Sequence, residues 1–263
     1  MAEGTTRKRK VADYGKNSSS KSNWPLIKPK KNLEITRLKE TDLFIGLLEW
    51  MHFMNSTLQI LFSREINHKV QDFLTCGESK SFVKAAEATG FVHQGSLGPT
   101  KGEAYRDNDR ISVNDSLLAK NVWESGLNNL FSDIKIRGKV AVGLNPNIRF
   151  YRYKVGQRFG QHIDESVDLG DGKRTHYTLL IYLSGDSKAK TKNDPNASKD
   201  FSPESLVGGE TVFYGSRNRV VAEVAPTEGM ALLHIHGDKC MLHESRIINK
   251  GVKYLFRSDV VFA

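Results

Sequence analysis

In the stretch RFGQHIDES (Arg158–Ser166), a histidine and an aspartate stand two residues apart, just after an alternating apolar run. On a strand that spacing places His162 and Asp164 on one face. Two readings are open here: a solvated strand end, or two of the three ligands of an iron site. CMLHESRI supplies a third donor, His243, which lies 79 residues after Asp164. Two imidazoles and one carboxylate leave three positions open on a metal, the arrangement with which non-haem Fe(II) binds O₂ and a cosubstrate together. A closed zinc site would want four protein ligands, and no cysteine is expected beside these residues. Ten residues after His243, in NKGVKYLFRSDVVF, alternation puts Lys253, Leu255 and Arg257 on one face. A cation inside a barrel is costly unless it meets an anion. The dicarboxylate 2-oxoglutarate would provide one, with one end on iron and its distal carboxylate on Lys253.

These residues need a scaffold, and the second half of the chain offers one. From Lys139 onward eight short alternating or apolar runs follow one another: Asn147–Tyr153, Phe159–Ile163, Tyr177–Ser184, Glu210–Tyr214, Val220–Val224, Met230–His234, Met241–Ile247 and Lys253–Phe262. Gly, Pro, Asn or Asp punctuates most gaps, which is the texture of a β-sandwich or barrel. The connection Gly185–Val207 is long, polar and charged, and reads as a disordered insertion rather than a lid, since it has little to bury. Upstream, Thr75 and Glu78 form a capping box, Phe82, Val83 and Ala86 give helical spacing, and Gly90 stops the helix. A second helix is predicted after Asn114, with an apolar stripe of Leu117, Leu118, Val122, Leu127, Leu130, Phe131 and Ile134. The segment between, GPTKGEAYRDNDRISVND, is polar and turn-rich.

Length suits one substantial domain with extensions. Residues 1–35 are expected to be a disordered basic tail, 36–138 a helical support region and 139–263 the β domain. The formal charge of +9 is concentrated at the front: residues 1–31 hold nine Lys/Arg against Glu3 and Asp13, leaving +2 for the other 232. RKRK (Arg7–Lys10) and KPKK (Lys28–Lys31) are candidate nuclear-localisation clusters or simply solvated charge. Two cysteines, Cys76 and Cys240, point to a reducing compartment, hence nucleus or cytoplasm. No apolar run reaches the roughly 20 residues of a membrane helix, so a soluble protein without membrane partners is expected.

Six ordered blocks, RYKVGQRFGQHID, YTLLIYLS, GGETVFY, GMALLHIHGD, LHES and GVKY, resemble the catalytic domain of prolyl-4-hydroxylase-like 2-oxoglutarate/Fe(II) dioxygenases over Val140–Phe262. VQDFLTCGESKSFVKAAEATGF is similar to that family's entry segment. The resemblance implies a mainly β chain with flanking helices, an α+β fold built on a double-stranded β-helix (jelly roll) with supporting N-terminal helices. It implies His162, Asp164 and His243 as iron ligands, Lys253 as cosubstrate anchor, and Tyr153 and Tyr182 beside the cosubstrate. It also implies Fe(II), 2-oxoglutarate and O₂, with ascorbate as a candidate accessory. The reaction would convert 2-oxoglutarate to succinate and CO₂ and place hydroxyl on an unactivated C–H bond, with no catalytic side chain beyond the ligands.

Departures remain open. Arg257 rivals Lys253, because some relatives bind the distal carboxylate with a bidentate arginine. His234 and His236 read as core or rim histidines rather than extra ligands, and Arg106 and Arg110 as surface charge that could reach the site opening. Leu43–His68 looks like an insertion, an amphipathic extension or an artefact of the gene model, and carries no assigned function. Three readings compete on substrate. The first is a prolyl residue of a cytosolic or nuclear protein, which makes a protein the expected partner. The second is oxidative demethylation of nucleic acid, opposed by the near-neutral domain and the lysine in place of paired arginines. The third is a non-catalytic binding module, opposed by the intact ligands. The oligomeric state is not legible.

Overall fold

The computed structural model describes residues 24–30, 33–37, 68–95, 103–185 and 205–263. The cluster Arg7–Lys10, nearly all of Leu43–His68 and the centre of the Gly185–Val207 connection lie outside them. In chain order the first elements are β1 (Glu34–Arg37), β2 (His68–Gln71), α1 (Cys76–Thr89), β3 (Val92–Gly95), β4 (Arg106–Asn114) and α2 (Ser116–Val122). Then come β5 (Lys135–Ile136), β6 (Lys139–Leu144), β7 (Asn147–Tyr153), β8 (Arg158–His162), β9 (Asp168–Gly170) and β10 (Lys173–Tyr182). The last are β11 (Val207–Gly208), β12 (Thr211–Tyr214), β13 (Val220–Val224), β14 (Ala231–Ile235), β15 (Leu242–Ser245), β16 (Ile248–Lys250) and β17 (Lys253–Phe262). All eight predicted runs are strands.

The antiparallel path runs β1-β2-β14-β10-β17-β7-β4-β8-β15-β12-β13. β14-β10-β17-β7 and β8-β15-β12-β13 are the two walls of a jelly roll. β4 joins them at one side, pairing with β7 over most of its length and with β8 at Arg106 and Asp107. Alternation sorts the side chains of β7. Ile148 and Phe150 pack outward with Leu118, Val122 and Phe82 from the helices. Tyr151 and Tyr153 point inward to a second cluster with Phe159, Phe213 and Leu255. The wall is therefore buried on both faces.

α1 carries the predicted capping box: Thr75 accepts from the Glu78 amide, the Glu78 carboxylate accepts from Thr75, and Gly90 ends the helix. α2 corrects one expectation. Its stripe is not continuous, because the chain passes through a π turn at Trp123–Leu127 where Gly126 has φ +136°. A Cβ there would meet Leu33 Cδ1 at 3.0 Å, so the break makes room for the N-terminal segment. Leu117, expected in the stripe, is exposed.

Two further expectations fail. The turn-rich segment contains the nine-residue strand β4, whose polar residues are answered by distant partners such as Arg152, 43 residues away from Asp109. The front of the chain is not a free tail throughout: Trp24 stacks on Phe150 at 4.2 Å, and Ile27 is buried. Lys30 donates to Glu78 at 3.0 Å, so part of the second basic cluster is structural. Two apolar anchors hold this piece, and a composition average over the tail conceals them. Among the described residues no helix is long and apolar enough to cross a membrane.

Candidate active site

Register brings the first and third donors together: His162, the last residue of β8, lies opposite His243 on β15. Asp164 follows two residues on, and one ligand atom from each of the three lies within 4.8 Å of the others. Both rings are oriented by the backbone. His162 Nδ1 bonds the Gly160 carbonyl and His243 Nδ1 the Met241 carbonyl, each at 2.8 Å. With Nδ1 carrying the proton, each Nε2 presents its lone pair to the centre. The two Nε2 atoms stand 3.7 Å from the Asp164 carboxylate oxygens. Phe159 stacks on His162 with centroids 3.6 Å apart, locking that ring further.

Protonation states agree with this donor set. Burial pushes His162 down to about 3, helped by His243, and burial also lowers His243. Both rings are therefore neutral at physiological pH, as ligation needs. Burial opposes ionisation of Asp164, but Arg257 and the surrounding histidines outweigh it and hold the carboxyl well below its ordinary range. Asp164 accepts from Thr178 Oγ1 at 2.8 Å and pairs with Arg257 Nη2 at 3.0 Å. Two neutral imidazoles and an ionised carboxylate, pre-oriented in a partly dry cavity, fit a divalent transition metal.

A cysteine does lie beside these residues, contrary to expectation. Cys240 Sγ accepts from the Asp164 amide at 3.1 Å, and His234, Cys240 and His243 form a second group of metal-binding types. Burial pushes the Cys240 thiol up to about 11, so it acts as a neutral hydrogen-bond partner. His234 is buried in the cavity wall, its Nε2 3.8 Å from Asp164, and among the described residues neither ring nitrogen has a hydrogen-bond partner. His236 is a satisfied core histidine, bonded to Thr178 and Thr175.

Lys253 and Arg257 share the inward face of β17 but sit in different surroundings. One cavity is lined by both and by the triad. Lys253 is fully buried and donates to Ser245 Oγ at 2.8 Å and to the Gly209 carbonyl. Its ammonium lies 5.5 Å from the ring centres of Tyr153 and Tyr182. Among the described residues no carboxylate pairs with it. Burial lowers it to about 7, opposed only by the charge of Glu210. Arg257 is committed to Asp164 and approaches Asp259 at 3.6 Å. Tyr182 is anchored through its hydroxyl to Thr211 at 2.7 Å.

Four contributors escaped sequence reading. Thr178 orients Asp164; Ser245, two residues after His243, therefore shares its face and meets Lys253; Thr211 positions Tyr182; and Arg149 joins Arg106 and Arg110 in a cleft beside the triad. The alternation around LHES signals Ser245. The others depend on cross-strand register.

No family model matches the chain, and no curated relative matches it. Its structure is similar to a prolyl hydroxylase from Trichoplax adhaerens in complex with a hypoxia inducible factor oxygen degradation domain peptide fragment. That likeness has a TM-score of 0.51 at 14% identity, covering 84% of this chain and 94% of that one. The viral collagen prolyl hydroxylase of Paramecium Bursaria Chlorella virus-1, in its 2OG complex, aligns with a TM-score of 0.48 at 18% identity over 75% and 96% of the two chains. A Pseudomonas putida prolyl-4-hydroxylase aligns at 0.46 and 13%, over 78% and 96%. The first of these likenesses establishes a shared double-stranded β-helix fold.

Proposed function

We propose that this protein is a 2-oxoglutarate- and Fe(II)-dependent dioxygenase that hydroxylates a prolyl residue of a protein. One observation carries the reading. A His–Asp–His set with both Nε2 lone pairs turned to its centre shares a cavity with a buried lysine that no carboxylate among the described residues answers. The fold and the peptide bound to the Trichoplax protein support the choice of a protein substrate; fold alone does not dictate it. The proposed setting, nucleus or cytoplasm, rests on the basic clusters and the cysteine count alone.

In this reading His162, Asp164 and His243 hold the iron. When bound, iron with 2-oxoglutarate and O₂ supplies the oxidising power, yielding succinate, CO₂ and the hydroxylated product. The protein's own work is positional. Lys253, steadied by Ser245, receives the distal carboxylate of 2-oxoglutarate and fixes its reach. Tyr153 and Leu255 wall off water, and Tyr182, which is not part of the cavity lining, backs Lys253 from behind. Thr178 and Arg257 hold Asp164 so that the metal meets a fixed oxygen rather than a rotating one.

The test is succinate formation by protein purified anaerobically and loaded with Fe(II), alongside metal analysis. One Fe(II) per chain and slow substrate-independent turnover are expected. Asp164→Ala should abolish both, and Asp164→Asn, which keeps the side-chain volume beside Arg257, should abolish turnover in a folded chain. Wild-type succinate production by a folded Asp164 variant would mean that the metal lies elsewhere.

A further inference from the structure

An open cleft adjoins the triad, sharing Asp164, Tyr151 and Arg257 with the first cavity. Its walls carry Arg106 and Arg110 from β4, Arg149 from β7 and Arg257 from β17, against Asp164 and Glu165. These cations are neighbours by register. Arg149 lies opposite Arg257 on one side and Ser112 on the other, and Arg110 lies opposite Tyr151. Like charges directly opposite across strands destabilise a sheet. The other face of the same strands shows how the fold removes that penalty, since Arg152 is paired with both Asp109 and Glu87. Two of the cleft's arginines lack such pairing: among the described residues neither Arg110 nor Arg149 has an ion-pair partner. Arg257 is held by Asp164, and Arg106 lies 4.2 Å over the Phe159 ring, which itself stacks on His162. The uncompensated charge therefore leads straight to the metal triad.

We infer that this cleft binds an acidic segment of the protein substrate, with Arg110 and Arg149 taking carboxylates that flank the residue to be hydroxylated. The inference rests on the protein-hydroxylase reading and adds a substrate class to it. A guanidinium fork matches a carboxylate in two parallel hydrogen bonds, and carboxylates would neutralise the row that the sheet leaves open. Phosphates would satisfy the charge as well, but single-stranded nucleic acid also needs aromatic platforms for its bases. No Phe, Tyr or Trp is among the exposed large apolar side chains of the described residues. Beyond residue 31 the chain carries only +2, with no extended basic stripe implied.

The experiment is fluorescence anisotropy on the full chain loaded with Mn(II) and 2-oxoglutarate. The probes are short labelled peptides with a central proline flanked by Glu, Gln or Lys. The Glu peptide should bind roughly tenfold tighter than the Lys peptide. The order should collapse in Arg110→Gln/Arg149→Gln and invert in Arg110→Glu/Arg149→Glu. Lys173→Glu, an equal charge change per site on an exposed position away from the cleft, should leave the preference as it was. Equal binding of Glu and Lys peptides, or a preference that Lys173→Glu shifts as much as the cleft variants do, would overturn the inference. So would tighter binding of a single-stranded oligonucleotide of matched charge, which would move the site to nucleic acid. Mass spectrometry of the same peptides after incubation with the Fe(II)-loaded chain, 2-oxoglutarate and O₂ separates the two claims. A Glu peptide that binds through the arginines but gains no oxygen retains the acidic cleft and removes the prolyl assignment.

Discussion

The outer side of the β7–β17 wall and its cavity side treat buried charge differently. Outside, Arg152 meets Asp109 and Glu87 at 2.8 Å each, and Lys30 meets Glu78 at 3.0 Å. Inside, Arg257 meets Asp164, but among the described residues Lys253 meets a hydroxyl, a carbonyl and two aromatic rings and no carboxylate. A buried cation left without a counter-ion costs stability that folding alone does not recover. Where the fold supplies the anion, the charge serves the scaffold. Where it does not, the charge awaits a ligand, and substitution there should move binding rather than architecture.

The largest expected contrast lies between the two inward cations of β17. Removing Lys253 would leave the distal carboxylate of 2-oxoglutarate buried and unpaired, which typically costs about 3–5 kcal/mol. At about 1.4 kcal/mol per tenfold, Lys253→Ala should raise the apparent KM for 2-oxoglutarate by roughly two to three orders of magnitude. Arg257 already has its partner, so Arg257→Ala should raise that KM by about one order or less. Succinate formation against 2-oxoglutarate concentration checks both. Reversed magnitudes would make Arg257 the anchor and leave the buried lysine without a role.

A smaller effect follows from the same lysine's proton. Burial lowers Lys253 to about 7, so the unliganded ammonium is progressively lost as pH rises through that value. A bound dicarboxylate favours the charged form and takes up a proton on binding. Affinity for 2-oxoglutarate should therefore weaken by about tenfold per pH unit above 7, until the pKa of the bound state is reached. Stability has the opposite slope. The folded pKa lies below the unfolded value of about 10.4, so the unfolded chain binds more protons between about pH 7 and 10. The unliganded protein should then gain stability with rising pH across that window, and Lys253→Met should lose the gain. Calorimetric titration of the Mn(II)-loaded chain at several pH values measures the first slope, and urea melts the second. A pH-independent affinity would place the dicarboxylate away from Lys253.

The cavity side was more legible in the sequence than the outer side, for a physical reason. The ligands proposed for iron come from a short list of residue types, and His162 and His243 stand on alternating strands whose faces can be read locally, with Asp164 two residues beyond the end of β8. Lys253 is conspicuous because a cation in an inward position has few uses. β4 was hidden because its polar residues are satisfied by residues far away in sequence, so its composition looks like a loop. Trp24 and Ile27 were lost in a basic segment, although their apolar side chains help to dock it. Thr178, Thr211 and Arg149 are common residue types that gain meaning only from the strand beside them. Register across the sheet is the information a single sequence does not display.

The smallest predicted effect probes the outer side. Glu78 accepts from the Thr75 amide, the Thr75 hydroxyl, the Lys28 amide and the Lys30 ammonium at 2.8–3.0 Å. Burial opposes its ionisation, but these donors prevail and lower it to about 2. The folded pKa lies below the unfolded value of about 4.3, so its stabilisation is present above that value and is lost as pH falls toward 2. Glu78→Gln weakens the cap on α1 and frees the segment around Lys28, at an expected cost of about 1 kcal/mol at neutral pH. For a chain of this size that is a fall of about 2–4 °C in Tm, with a shallower acid limb than the wild type. The KM for 2-oxoglutarate should not move, since the scaffold answers this charge and the cavity does not see it. A shift in KM comparable with that of Arg257→Ala would show that paired charges on the outer side also tune the site. Lys30 belongs to the same network, so neutralising Lys28–Lys31 to test nuclear import would also loosen the fold. Glu78→Gln, which loosens the segment but keeps every basic residue, is the control that separates the two.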